Sequence, residues 1–143
     1  MMNRLCVVAI ALAACGSGSD EQGGLTITKA ASGVCDPSPV PVNVQTLALD
    51  GDTLTVQVYT QYTCVKSTFA FCWDGAVEDT APGSVDLVMS AHPQGSNPQM
   101  CEGGLTSTVQ VDLGTLPDKE RPLRVNILDQ HGFNDATMGV LYP

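Results

Sequence analysis

Basic residues are scarce in this chain: six Lys and Arg stand against 15 Asp and Glu, a formal net charge of −9. That balance argues against nucleic acid and against charge-driven binding to anionic bilayers, both of which need clustered positive side chains. Histidine is nearly absent, with His92 and His131 alone, and neither sits in an HExxH pattern. No Gly-x-Ser-x-Gly elbow occurs, so the common nucleophile and zinc-hydrolase signatures are missing. Aromatic residues make up 5% of the chain, which limits the core that packing alone can build. No apolar run is long enough to cross a bilayer as a helix. Apolar residues nowhere keep helical spacing over three turns, which excludes helix bundles and βαβ units.

What is present begins at the N-terminus. Arg4 precedes the apolar run Leu5–Ala14, and Leu12-Ala13-Ala14-Cys15 closes it. The run is too short to span and has the layout of a cleavable export signal. Ala11-Leu12-Ala13 would also fit ordinary secretory cleavage, but Cys15 followed by Gly16-Ser17-Gly18-Ser19 has no structural use inside a polar tether. The four-residue ending resembles the lipobox of bacterial lipoproteins. That resemblance implies diacylglycerol on the Cys15 thiol, cleavage before it, and discard of Cys6 with the signal. Each buried acyl carbon contributes about 0.8 kcal/mol, and a single chain holds only reversibly, so two or three chains make a durable anchor. Gly16 in place of a retention Asp points to the outer membrane by the same family rule.

The expected organisation is a signal over residues 1–14, a lipidated Cys15 with a flexible tether over 15–34, and one domain over 35–143. Loss of Arg4 leaves 15 acids against 5 bases, a net charge of −10, which keeps an exported domain soluble. The Gly/Ser-rich stretch 16–24 would reach roughly 15–18 Å on average.

Four cysteines follow the anchor: Cys35, Cys64, Cys72 and Cys101. An even number in an exported domain reads as two disulfides. A four-cysteine zinc site lacks the close Cys-x-x-Cys pairs it needs. Three pairings are possible, and the strand layout favours Cys35–Cys72 with Cys64–Cys101.

Strand signals fill the rest. Val42–Leu49 and Leu54–Tyr62 flank the turn Asp50-Gly51-Asp52, and Leu54, Val56 and Val58 share one face. Thr68–Trp73 puts Phe69, Phe71 and Trp73 on one face and Cys72 on the other. Ser84–Ala91, Leu105–Leu113 and Leu123–Leu128 alternate in the same way, Val140–Tyr142 adds a short strand, and Lys119-Glu120-Arg121 suits a single helical turn. Seven or so short strands predict an all-β, immunoglobulin-like antiparallel β-sandwich.

No residue set announces catalysis. His92 falls at the parity of Asp86 and Ser90, facing solvent, and His131 lies in a Gly-, Asn- and Asp-rich loop. Asp50-Gly51-Asp52 lacks the calcium-loop spacing. Asp129, Asn134 and Asp135 read as an ordinary polar loop, and Glu78-Asp79 as a solvated turn. Gly103-Gly104 opens no helix that would hold an anion. No catalytic residue, cofactor or metal is assigned, and the chain is read as a non-enzyme. Binding would fall to loops at one end of the sandwich, Ala91–Met100 and Gln130–Met138.

Aligned in order, Cys64-Val-Lys-Ser-Thr-Phe69-Ala-Phe71, Val85-Asp-Leu87-Val-Met89-Ser-Ala-His92, Cys101-Glu-Gly and Val111-Asp112-Leu113 follow a recurring pattern. It resembles small bacterial lipoproteins with NigD-like C-terminal β-sandwich domains, over roughly residues 42–128. The resemblance implies that Cys64 and Cys101 belong to a shared framework, while Cys35 and Cys72 are an addition to it. Ser67 and Gln99 replace a His and an Asp of that pattern, so only His92 remains of its histidines. The resulting expectation is a lipid-anchored, disulfide-stabilised envelope module at the outer membrane that binds a partner protein or serves structurally. The alternative is an exported protease inhibitor presenting Pro93–Met100, braced at Cys101.

Overall fold

The computed structural model describes residues 20–61, 63–95, 102–128 and 138–143. Eight strands form: β1 (Asp20–Lys29), β2 (Val42–Asp50), β3 (Thr53–Gln61), β4 (Ser67–Trp73), β5 (Gly83–Pro93), β6 (Gly104–Asp112), β7 (Leu123–Leu128) and β8 (Met138–Tyr142). A single 3-10 turn, Asp118–Glu120, sits in the connection before β7, close to where a helical turn is predicted.

The strands make one sheet in the order β2-β3-β6-β1-β4-β5-β7-β8. Its two outermost strands, β2 and β8, come back into contact, so the sheet is nearly closed into a barrel. This corrects the expected immunoglobulin-like antiparallel sandwich of seven strands. β1 is an eighth strand, and it runs parallel to both of its neighbours, β6 and β4; β5 and β7 are parallel as well. Half-buried strands alternate with the same period in either direction, so the residue pattern does not separate the two arrangements.

β1 also falls inside the stretch 15–34 expected to be a tether. Its start, Asp-Glu-Gln-Gly-Gly, has no strand-forming residue, and only Leu25-Thr26-Ile27-Thr28 alternates. The strand is specified by its neighbours. Asp20–Thr26 pairs with Ser107–Asp112 of β6, with a register shift between Gln22 and Leu25, where Gly24 takes a φ of +71°. Ile27–Lys29 then pairs with Phe71–Trp73 of β4.

One core fills the barrel. Leu54, Val56 and Val58 of β3 meet Val109 and Val111 of β6 from one side. Phe69, Phe71 and Trp73 of β4, with Leu87 and Met89 of β5 and Val125 and Ile127 of β7, meet them from the other. The predicted inward faces are the buried ones. β3 and β6 approach so closely that a Cβ on Gly104 would fall 2.0 Å from the Thr60 carbonyl oxygen, a position only glycine tolerates.

Pairing directions define two poles. β1, β2, β4, β6 and β8 start at one pole and β3, β5 and β7 end there. The strand ends that flank residues 62–66, 94–103 and 129–137 lie at this starting pole. The opposite, far pole carries the turn Gly51-Asp52, the connections 74–82 and 113–122, and Pro143.

Candidate functional site

The ring of strands has two seams where regular pairing stops, and each is bridged by side chains. The first lies between β1 and β4. Their ladder covers only Ile27–Lys29 against Phe71–Trp73, so toward the starting pole the strands part. Gln22 crosses the gap: its side-chain oxygen accepts the Phe69 backbone N–H at 3.0 Å, replacing a missing ladder bond. The space left is an open cleft of about 330 Å³, lined by Gln22, Lys66, Ser67, Thr68, Gln94 and Ser107 beside Phe69. Hydroxyls and amides dominate this lining. Ser107 is buried, and the buried Ser67 Oγ has no hydrogen-bond partner among the described residues. An orphan hydroxyl here is an unused donor facing a polar recess.

The second seam, β2 to β8, is closed at the far pole. The Tyr142 hydroxyl donates to Asp52 Oδ1 at 2.5 Å, and the Arg121 guanidinium donates to the Tyr142 oxygen. That guanidinium also lies 4.0 Å from the Tyr142 ring centroid and pairs with Asp118 at 3.0 Å. The Leu113 N–H donates to the Asp52 carbonyl at 2.8 Å, fixing the turn that presents the carboxylate. Tyr142 is 1% exposed. Burial, then the Asp52 hydrogen bond, push its phenol up to about 12, against a smaller lowering by Arg121. The cluster is a neutral phenol clamped between opposite charges, suited to holding two strands together.

A braced loop joins β1 to β2. Cys35 and Cys72 are disulfide-bonded, the pairing that the strand layout favours, and the lead-in segment crosses the outer face of β4 there. β4 lies between β1 and β5, so the bridge does not shield a sheet edge. Farther along, the Ala91 N–H donates to Ser38 Oγ at 3.0 Å, and the Ser38 hydroxyl donates to the Val40 carbonyl at 2.6 Å. Ahead of the bridge, between Cys35 and the Ala30 N–H that donates to the Trp73 carbonyl at 2.8 Å, Val34 stands 70% exposed. Beside it lies a shallower hollow of about 220 Å³, lined by Gly33, Val34, Cys35, Asp74, Asp86, Val88 and Leu128.

The other residues singled out from the sequence lie apart from these places. Cys64 is disulfide-bonded as well; Cys101, expected as its partner, lies outside the described residues. Cys15, His131, Asp129, Asn134 and Asp135 also lie outside them, with most of Ala91–Met100 and Gln130–Met138. His92 is exposed, its Nε2 3.1 Å from Ser90 Oγ. Glu78 accepts the Ser84 hydroxyl at 2.8 Å and pairs with Ser84 as an isolated bridge, so it closes a turn. Asp50-Gly51-Asp52 is the β2–β3 turn, with Gly51 at a φ of +57°. Among the described residues no three His, Cys, Asp or Glu side chains gather where a metal ion could be held.

Neither the cleft nor the Tyr142 cluster is marked in the sequence. Gln22, Ser67 and Ser107 are short or neutral residues on three separate strands, and Asp52 and Tyr142 are 90 positions apart. One signal is available: Tyr142 continues the apolar alternation of β8 while carrying a group that needs a partner when buried.

No protein-family model matches this sequence, and no curated protein does. Two solved structures are similar. One is a Bacteroides vulgatus protein of unknown function, DUF1344, with a TM-score of 0.55 and 14% identity over 87% of this chain and 57% of that one. The other is a NigD-like immunity protein from Bacteroides caccae, with a TM-score of 0.48 and 13% identity over 81% of this chain and 58% of that one. This chain thus spans under three-fifths of either neighbour's length. At such identity the Bacteroides vulgatus likeness establishes a shared fold alone.

Proposed function

We propose that this chain is a lipid-anchored module of the bacterial cell envelope, at the outer membrane, which acts by binding a partner protein or by structural support and not by catalysis. The observation that carries the reading is Leu12-Ala13-Ala14-Cys15-Gly16 at the end of a ten-residue apolar run. The disulfide-bonded Cys35, Cys72 and Cys64 support an oxidising compartment. A binding role is supported by the cleft at the β1–β4 seam, whose lining supplies hydrogen-bonding groups without a nucleophile–base pair.

The test is acylation itself. Intact mass of the product made in a Gram-negative host should show acyl chains on Cys15, and labelled palmitate should enter the wild-type chain but not Cys15→Ser. Wild-type protein recovered without acyl mass, or a Cys15→Ser chain that is still acylated, overturns the reading.

One observation favours a second reading, the exported protease inhibitor, at a different loop from Pro93–Met100. Val34 is held out on a segment fixed by the Ala30 N–H, which donates to the Trp73 carbonyl, on one side and by Cys35–Cys72 on the other. A braced, exposed loop loses little entropy on entering a protease cleft. Inhibition of an elastase-type enzyme that moves to a trypsin-type enzyme in Val34→Arg is the expected signature. No inhibition at micromolar protein across a protease panel removes this reading.

A further inference from the structure

We propose that the β1–β4 seam takes up a short extended segment of a partner protein, which adds as a strand along the open edge of β4. This rests on the partner-binding reading above, is independent of acylation at Cys15, and names the chemistry that the partner brings.

The seam exposes backbone. In a strand, successive residues turn their N–H and C=O groups to opposite edges. The Lys66 carbonyl accepts the Gln94 N–H at 2.8 Å, so even-numbered positions here face β5. The Phe69 N–H meets the Gln22 side chain and the Trp73 carbonyl accepts the Ala30 N–H, so odd-numbered positions face β1. β1 pairs with them only from Phe71 onward, where the ladder begins at Ile27. Ser67 and Phe69 therefore turn N–H and C=O groups toward a gap with no strand opposite. Gln22 satisfies one of these groups, the Phe69 N–H, as a stand-in for the carbonyl that a neighbouring strand would bring.

The gap also has room. Gly23 and Gly24 follow Gln22 in β1, and a Cβ on Gly24 would meet nothing within 4 Å. From Ser67 to Phe69 the edge runs about 7 Å, which suits a segment of about two to three residues. A cleft of about 330 Å³ agrees with an insertion that short. The Gln22 side chain stands in its path, so the incoming carbonyl displaces it from the Phe69 N–H.

The lining favours an extended peptide over other small polar ligands. Phe69 is 5% exposed with its ring in the core, so it offers no aromatic face on which a sugar ring would stack. Backbone groups at strand spacing match another backbone whatever its sequence, which is the basis of strand addition. Sequence preference comes from the inward side. The odd positions of β4 point inward, and beside the gap these are Ser67 and Phe69. Ser67 Oγ is buried with no partner among the described residues, and Ser107 of β6 is buried in the same lining. A residue placed opposite Ser67 turns its side chain toward these hydroxyls, which fits Ser, Thr or Asn and disfavours Val or Leu.

The test is a titration of the full chain, isotope-labelled and held in detergent micelles, with acetyl-Val-Thr-Val-Thr-Val-amide, followed by NMR. The Ser67 and Phe69 amides and the Gln22 side-chain amide should shift together and saturate. The same peptide N-methylated at every residue cannot donate to a strand edge and should bind about tenfold more weakly, the loss of one or two backbone hydrogen bonds. Gln22→Ala clears the stand-in and should tighten binding severalfold, while Ser67→Ala should weaken it severalfold. No shift at Ser67 and Phe69 with millimolar peptide, equal binding of the N-methylated peptide, or weaker binding by Gln22→Ala overturns the proposal. Shifts at the same amides with cellobiose but not with the peptide overturn it as well and assign the cleft to a sugar. These outcomes do not depend on acyl mass at Cys15, so loss of the anchor and loss of strand addition are read separately.

Discussion

The two seams of this barrel solve one geometric problem in opposite ways. Between β2 and β8, a buried phenol, a carboxylate and a guanidinium close the gap. Between β1 and β4, one neutral amide spans it and leaves a polar cleft beside an orphan hydroxyl. A buried phenol with charged partners at the surface welds a seam, because its hydroxyl is out of water and depends on those partners. An amide at a wet seam keeps register while water stands ready to replace it. The welded seam holds the sheet closed, and the other leaves an open cleft lined by hydroxyls and amides.

The comparison can be broken from its strong side first. Tyr142→Ala removes a buried ring together with its hydroxyl and should cost roughly 3–5 kcal/mol, read as the urea midpoint at constant m-value. The paired change Cys35→Ser with Cys72→Ser opens a loop of 37 residues and should cost roughly 3–4 kcal/mol in the chain-entropy model. Its effect on the seams differs: thermal melting should shift, while the cleft and the Tyr142 cluster stay intact. Tyr142→Phe keeps the ring but removes the hydroxyl that joins Asp52 to Arg121; Asp52 is exposed and Arg121 retains Asp118, so the expected loss is about 0.5–1.5 kcal/mol.

That variant also carries a pH signature. The folded phenol keeps its proton to about pH 12, whereas an unfolded one loses it near 10. The stabilisation is whole below pH 10 and is lost as pH rises from 10 to 12, because the unfolded chain then releases the proton first. Wild-type melting temperature should fall across this window, with a shallower fall in Tyr142→Phe. Equal slopes would show that the phenol is not clamped.

At the wet seam the effects shrink. Gln22→Ala deprives the Phe69 N–H of its acceptor beside open solvent and should cost about 1 kcal/mol or less. Ser67→Ala should be neutral or slightly stabilising, since it deletes a buried hydroxyl that has no partner among the described residues. A large loss at Ser67 would mean that its hydroxyl is engaged, and the seam would have to be reclassified as welded.

Much of the barrel is legible in the sequence because burial in a strand writes itself at a period of two. Leu54-Val56-Val58 and Phe69-Phe71-Trp73 name both the strands and their inward faces. Of the three possible cysteine pairings, the Cys35–Cys72 bridge that forms is one the layout favours, with Cys72 lying opposite that aromatic face. β1 is not legible, since its position between β6 and β4 supplies what its Gly-rich sequence lacks. Strand direction is invisible for the same reason that strand existence is plain: alternation carries no arrow. The candidate site stays hidden because a gap between strands is made by where ladders end, and no residue type marks that point.

The parallel embedding of β1 sets the order of events when the chain folds. Asp20 pairs with Ser107 and Ile27 with Phe71, so the strand nearest the anchor finds its neighbours only after most of the polypeptide has been delivered. β2 and β3, joined by the Gly51-Asp52 turn, can meet early, but closing the distant loops that seat β1 costs entropy before any contact repays it. An exported chain fastened at Cys15 would pass that interval with β1 held at the membrane and its partners arriving from the other end, the last strands completing a slot that the first strand has been waiting to fill.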